Sequence, residues 1–438
     1  MHIFLQDNMH FFMKNNPFVG TQLVVRGKSR TFAAAFVDGS EKRRFTNRKT
    51  SMKVLYVLNT YYATGNGLST SARAIVSELQ AAGVEVRILT CENPDPNGSQ
   101  PDYPVKKFHF PIFQPLIDKF GYAFAQWRSP KIEEAVRWAD VVHMEDMFFI
   151  EHAAMNLCKK LGKPMTGTYH LHPENIFCQL GMAGWHWPNK VMLNYWARVF
   201  FDNYRYIQCP TENVHDRLMR YHVKANSMII SNGLKPDKCI RPLTPPADYL
   251  DENRPLEVIY IGRMSEEKDQ PTLFEAMRYS KYAHRIQLHF AGIGPKINAY
   301  KRMADKLLKE GVLKYEPVFG FYDREGLRQL AAHADLAVHC AYVEVEGLSI
   351  MEAMQQAVVP VIAVARYSGT SQFALDRRSK FPSKNPEALA KRIDYWLDNP
   401  EERWRMGFVY AESMKQYDVA ESAKALIRMY EKAVGGQA

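Results

Sequence analysis

No run of eighteen apolar residues occurs anywhere in this 438-residue chain, so no membrane-spanning helix is expected. Asp7 and Lys14 interrupt the apolar stretch at the N-terminus, which argues against a secretory signal. The six cysteines (Cys91, Cys158, Cys178, Cys209, Cys239 and Cys340) form no Cys-x-x-Cys pair and no cluster. That disfavours zinc and dithiol frameworks and leaves them as small buried hydrophobes of a reducing compartment. An evenly spread basic surface is missing too. Nine Lys or Arg against three acids lie in residues 1–51, so +6 of the net +10 belongs to that segment and +4 to the remaining 387 residues. Nucleic-acid binding is therefore not expected, because the charge is not gathered on a helix face.

What is present is an apolar content of 46% and a charged content of 24%, those of a folded protein. The length calls for two domains. Residues 1–51 lack periodicity and end in the basic run GSEKRRFTNRKTS, which reads as a flexible extension or as sequence upstream of the true start. At Met52 the strand MKVLYVLNT opens an alternation of short apolar strands and helices that continues to SMIISNG. Such alternation means a parallel sheet covered on both faces. Residues 235–255, rich in Pro and Asp and without an apolar period, read as a linker. A second alternation starts at LEVIYIG and runs to VVPVIAV, followed by helices near 385–397, 400–412 and Val419–Val434. The expected fold is thus α/β with two doubly wound domains, 52–234 and 256–414, and a cleft between the carboxyl edges of their sheets. A last segment, about 415–438, is expected to return to the first domain.

The stretch Ala341–Ala363, AYVEVEGLSIMEAMQQAVVPVIA, is the part that the rest serves. It reads as a loop carrying Glu344 and Glu346, then Gly347, then a helix through Gln355 and a buried strand. Gly347 lacks a β-carbon, so a ligand can approach its backbone. The amides of Leu348 and Ser349 would then stand unpaired at a helix N-terminus, where the dipole favours phosphate. A helical path from Glu344 to Glu352 would place the two about 12 Å apart. That is too far for one acid/base pair, but it suits two grips on an elongated phosphate-bearing ligand such as a nucleotide sugar. A plainer reading also stands, in which the carboxylates simply favour a helix start. The turn Thr64-Gly65-Asn66-Gly67 lacks the third glycine of a dinucleotide fingerprint. It is either a strand-to-helix turn or a close backbone approach to a ligand.

IYIGRMSEEKD and, about eighty residues later, EVEGLSIMEAM resemble the Gly-Arg…Glu-Lys and Glu-x7-Glu motifs of the retaining glycosyltransferase family four. VLYVLNTYYATGNGLSTSARAIVSEL, ADVVHMED and CPTENVHDRLMRYHVKANSMIISNGL resemble that family's first domain. The resemblance covers Met52 to about Tyr430 and implies the two-Rossmann GT-B fold. It implies transfer of a hexose, with retention, from a nucleoside-diphosphate sugar (UDP-hexose first) as co-substrate, without a cofactor. Following the shared motifs, Gly262 and the cations Arg263 and Lys268 would hold the diphosphate, where fixed charge meets developing charge. Leu348 and Ser349 amides would add to that grip, with Gly65 and Gly67 facing it from the first domain. Glu344 would hold donor-sugar hydroxyls, Glu352 the ribose, and His170 in TYHLHPEN the sugar near its anomeric carbon. No Asp-x-Asp pair is present, and no catalytic metal is expected. Two departures stand out. Val345 and Glu346 replace a glycine and an aromatic residue, and Ser368-Gly369-Thr370-Ser371-Gln372-Phe373 replaces the common Gly-Gly…Glu loop.

TYHLHPENI and SGTSQFALD resemble the branch containing bacterial glycolipid synthases, which implies a lipid acceptor such as diacylglycerol or ceramide. Residues 104–131 add Phe108, Phe110, Phe113, Phe120, Phe124 and Trp127 beside Lys106, Lys107 and Lys119. This is either a peripheral membrane contact or part of a core or glycan groove. A cytoplasmic enzyme touching the inner membrane face is the expectation. The alternatives are a polysaccharide or cell-envelope glycan acceptor, and a sugar-nucleotide epimerase or hydrolase of the same fold.

Overall fold

The computed structural model describes residues 52–63, 67–112, 114–119, 122–182 and 185–436. Gly65, Phe113, Phe120 and the extension 1–51 lie outside them. The described residues belong to one compact unit, Ser51–Ala438, built on two parallel sheets.

In chain order the first lobe is β1 (Lys53–Val57), α1 (Gly67–Ala81), β2 (Glu85–Cys91), β3 (Tyr103–Val105), β4 (Lys107–Phe108), α2 (Gln114–Lys119), β5 (Phe124–Ala125) and α3 (Pro130–Trp138). It continues with β6 (Val141–Met144), α4 (Phe149–Leu161), β7 (Met165–Thr168), α5 (Pro173–Gln179), α6 (His186–Val199), β8 (Tyr206–Cys209), α7 (Glu212–Arg220) and β9 (Asn226–Ile229). Seven strands join in the order β3-β2-β1-β6-β7-β8-β9. β1 lies at the switch point, with Val54 opposite both Val86 and Val141. All four residues of β6 and of β7 are buried, as expected of strands covered on both faces. Local chemistry sets the helix starts: Ser129 caps α3, whose first residue is Pro130.

The second lobe runs β10 (Leu256–Ile261), α8 (Gln270–Ala276), β11 (Ile286–Ala291), α9 (Ile297–Lys309), β12 (Val318–Gly320), α10 (Arg324–His333), β13 (Leu336–His339), β14 (Val343–Glu344) and α11 (Leu348–Gln355). Then come β15 (Val359–Val364), β16 (Tyr367–Ser368), β17 (Lys380–Pro382), α12 (Pro386–Asp398), α13 (Pro400–Met414) and α14 (Val419–Gly435). Its six-stranded sheet has the order β12-β11-β10-β13-β15-β17, and β14 and β16 form a separate two-stranded pair.

The core follows the sheets. One cluster surrounds the second sheet, and two cover the faces of the first. α14 returns to the first lobe, as its apolar period predicts. Val419, Ala423, Leu426, Met429, Tyr430 and Ala433 bury against β1, β2 and α1, and the Tyr430 and Tyr56 hydroxyls meet at 3.1 Å. Residues 235–255 carry no helix or strand. They are laid on the second lobe: the Ile240 amide donates to Gln356 (3.0 Å), and Trp404 Nε1 donates to the Leu243 carbonyl (3.0 Å). The chain crosses between lobes twice, and the crossings touch. The Leu234 amide donates to the Tyr417 carbonyl (2.7 Å) and the Val419 amide donates to the Leu234 carbonyl (2.9 Å). Gly233, at φ +79°, allows this approach, since a Cβ there would stand 2.5 Å from Val419 Cα.

Candidate active site

The site collects at the carboxyl ends of the strands, where open α/β sheets leave a crevice. β10 ends at Ile261, and Gly262, Arg263 and Met264 follow. The Gly262 amide donates to the Ala291 carbonyl (2.9 Å) and the Met264 amide to the Ile293 carbonyl (3.0 Å), so this turn is fixed against the loop after β11. Arg263 is half-buried, and no carboxylate pairs with its guanidinium among the described residues. A 3-10 turn, Glu266–Lys268, brings the next cation round.

Lys268 Nζ is in direct contact with Glu344 Oε2, and the buried His339, last residue of β13, stands with Nε2 3.7 Å from the same oxygen. Burial opposes charge on Glu344, but Lys268 and His339 outweigh it and hold the carboxyl below its ordinary range. Burial, with Lys268 adding to it, pushes His339 down to about 4 against the pull of Glu344. His339 is therefore a neutral imidazole at neutral pH, stacked on Tyr260 at 6.2 Å. Glu344 itself lies on β14, paired with Ser368 of β16, and not on a helix. The helical 12 Å spacing to Glu352 therefore does not apply, because the chain changes direction at Gly347.

Gly347 caps α11 at φ +89°, ψ +50°, the left-handed region that favours glycine. An added Cβ would meet Thr370 at 2.9 Å. The first-turn amides of Leu348 and Ser349 have no acceptor within the helix. The Ser349 hydroxyl is committed, donating to the Ile261 carbonyl at 3.0 Å and so pinning α11 to the end of β10. Glu352, exposed one turn on, lines a groove with Lys235, Asp237 and Arg324. Of the expected donor residues, Gly262, Arg263, Lys268, Glu344, Gly347, Leu348 and Ser349 come together through these contacts. Glu352 stands in the groove beside them. Gly67 is the exposed first residue of α1.

Across from them the first lobe presents His170, two residues past β7. Its Nε2 is in ion-pair contact with Glu145 Oε2, and Glu145 follows the end of β6. The second histidine of TYHLHPEN has another task. His172 is fully buried, accepts from Arg217 (2.8 Å), lies 2.9 Å from the Tyr169 hydroxyl, and is held neutral by burial and by Arg217. Arg217 also pairs with Glu174 at 2.7 Å and lies 4.5 Å over the ring of Tyr367 in the other lobe.

The lobes meet through the loop that replaces the family pattern. Thr211 Oγ1 donates to the Val345 carbonyl at 2.9 Å. Glu346, buried, accepts from the Asn232 amide at 3.0 Å and from the Ser231 hydroxyl. Burial pushes its carboxyl up to about 7 even though those two donors and His170 favour the charged form. Glu145, His339 and the bridging role of Glu346 were not singled out from the sequence. The one available signal for the first two is that each stands at or just past the carboxyl end of a buried strand.

Residues 65–238 match Glycosyltransferase Family 4, and residues 247–408 match Glycosyl transferases group 1. The chain belongs to family four of the glycosyltransferases, with the GT-B fold. The glycosyltransferase is 24% identical over 327 residues to the alpha-monoglucosyldiacylglycerol synthase of Streptococcus pneumoniae, 71% of each chain. Anabaena HepE in complex with UDP and glucose is 15% identical, with a TM-score of 0.59 over 87% of this glycosyltransferase and 100% of that chain. The catalytic domain of the cholesterol-alpha-glucosyltransferase of Helicobacter pylori is 40% identical, covering 37% of this chain and 100% of its own, at a TM-score of 0.33. No helix among the described residues is long and apolar enough to cross a membrane, and no group of three or more His, Cys, Asp or Glu among them could hold a metal ion.

Proposed function

We propose that this glycosyltransferase moves a hexose from a nucleoside-diphosphate sugar, UDP-hexose first, to a lipid acceptor such as diacylglycerol or ceramide, with retention at the anomeric carbon. The observation that carries the donor reading is the convergence of Arg263, Lys268 and the free amides after Gly347 beside the Lys268–Glu344 pair. Fixed cations and helix-start amides are the groups that stabilise a departing diphosphate. In the reaction the bond from the anomeric carbon to the diphosphate oxygen breaks with its electron pair leaving on the phosphate. The acceptor hydroxyl oxygen bonds to the same face of that carbon, and its proton passes to a donor phosphate oxygen. Glu344, held ionised, orients sugar hydroxyls, and Glu352 serves the ribose.

The similarity to a diacylglycerol-directed synthase supports the lipid acceptor, and so do two apolar surfaces on the first lobe. Phe108, Phe110, Phe124, Trp127 and Phe149 pack ring to ring at 4.6–5.9 Å, with Phe149 and the neighbouring Ile112 exposed. Trp187, Val191 and Tyr195 recur every fourth residue along the outer face of α6. Aromatic residues presented outward beside lysines suit a bilayer interface. The test is a thermal-shift panel of UDP-, GDP- and ADP-hexoses. Mass spectrometry of products then follows, with diacylglycerol, ceramide, a sterol and a soluble saccharide as acceptors. Stabilisation by no nucleotide sugar overturns the donor reading. Transfer to the saccharide alone overturns the lipid reading, and turnover of donor without acceptor makes the chain a hydrolase or epimerase.

A further inference from the structure

His170 sits in a buried polar network whose hydrogens can be assigned one after another. Gln208 Nε2 donates to the Ile230 carbonyl at 3.0 Å, which turns its Oε1 toward Thr168. Thr168 Oγ1 donates to that oxygen at 2.7 Å, and so it accepts from His143 Nε2 at 2.9 Å. His143 Nδ1 meets Thr166 Oγ1, also at 2.9 Å. The same His143 Nε2 lies 3.3 Å from Glu145 Oε1, while His170 Nε2 touches Glu145 Oε2. Glu145 is only 3% exposed, so ring nitrogens of two histidines converge on one interior carboxylate.

A carboxylate in that position needs a cation, since an unpaired interior charge is far more costly than a paired one. Among the described residues no Lys or Arg pairs with Glu145. The Tyr56 and Tyr430 hydroxyls nearby bond each other, and the remaining neighbour, Asp146, is acidic. That leaves His170. We propose that Glu145 is a positioning residue that holds His170 as an imidazolium, so that its other ring nitrogen presents a charged N–H donor to the bound substrates. The groups acting on His170 from each side are Glu145 and Asp146 past β6 and, once ionised, Glu346 from the second lobe, and all three favour its charged form. Burial works the other way and is the largest single influence, yet the balance lies above the ordinary histidine value. A charged donor makes roughly twice as strong a hydrogen bond as a neutral one. Activity therefore requires His170 protonated and falls as pH rises through its folded pKa.

This inference rests on the transferase reading for its meaning, and its test does not. The full chain with 13C-labelled histidine is titrated by NMR, with His170 assigned by the signal missing from His170→Gln. The expected result is a midpoint for His170 above 6.5, lowered by one unit or more in Glu145→Gln and largely restored in Glu145→Asp. One unit lowers the protonated fraction tenfold on the alkaline side. The kcat for UDP-hexose transfer at pH 8 then falls about tenfold in Glu145→Gln, its pH profile moves with the NMR midpoint, and donor KM stays within about twofold. A wild-type midpoint at or below 6.5, or one that Glu145→Gln leaves in place, overturns the proposal. The wild-type midpoint decides even if Glu145→Gln does not fold. An elevated midpoint in a protein that transfers no sugar would refute the transferase reading and leave the Glu145–His170 pairing standing.

Discussion

Glu346 makes the stability of this protein depend on pH in a calculable way. Its carboxyl is 2% exposed and has been pushed up to about 7 from an ordinary 4.5. Between those values the folded state keeps a proton that the unfolded chain has released, so stability falls as pH rises through that window. It is full below about 4.5, lost progressively up to about 7, and level beyond. At 1.36 kcal/mol per pKa unit the loss is about 3 kcal/mol. Glu346→Gln keeps an oxygen to accept from the Asn232 amide but cannot ionise, so it escapes that loss. Urea midpoints followed by intrinsic fluorescence at pH 4.5, 6 and 8 should diverge, with the variant gaining about 3 kcal/mol on wild type from the lowest pH to the highest. Curves that run parallel to within 1 kcal/mol would refute the reasoning, and with it the picture of a protonated carboxyl bridging the lobes.

Gly347→Ala forces a side chain into the left-handed region and to within 2.9 Å of Thr370. It should lose about 2 kcal/mol or more in denaturant midpoint, together with most of the thermal shift that UDP-hexose gives the wild type. Lys268→Met removes the cation we propose for the diphosphate together with the counter-charge of Glu344, and steady-state assays should show kcat/KM down on the order of 10²–10³-fold. Arg403→Met strands part of a buried network: Arg403 donates to Asp335 at 2.6 Å and to the Trp396 carbonyl at 2.8 Å, and Arg254 is left as the partner of Asp335. Calorimetry should report about 3 kcal/mol of destabilisation with little change in donor KM, because the pair lies under the second sheet and away from the cleft.

Much of this fold is legible in the chain because its strands are buried on both faces and its helices on one, so the apolar period changes at each boundary. The helix after Gly347 was expected to run through Gln355, and it does. α14 was expected over Val419–Val434 and spans Val419–Gly435. The Lys268–Glu344 pair was half visible: each residue stood in a motif, but nothing along the chain says that the two touch. β14 and β16 have two residues each, too short for any period, yet they carry Glu344. Glu145 and the bridging role of Glu346 were hidden for a different reason. A buried acid is recognisable only by what closes around it, and here that is His170 from the loop after another strand and Ser231 from the other lobe.

The two passages between lobes are bonded side by side at Leu234 and Val419, and this fixes how the molecule can move. Two separate straps would let the halves slide or twist against each other. Two straps joined at one place tie both connections to a single point between the halves. Any movement that parts the lobes at this seam must break the Thr211–Val345 and Glu346–Asn232 bonds.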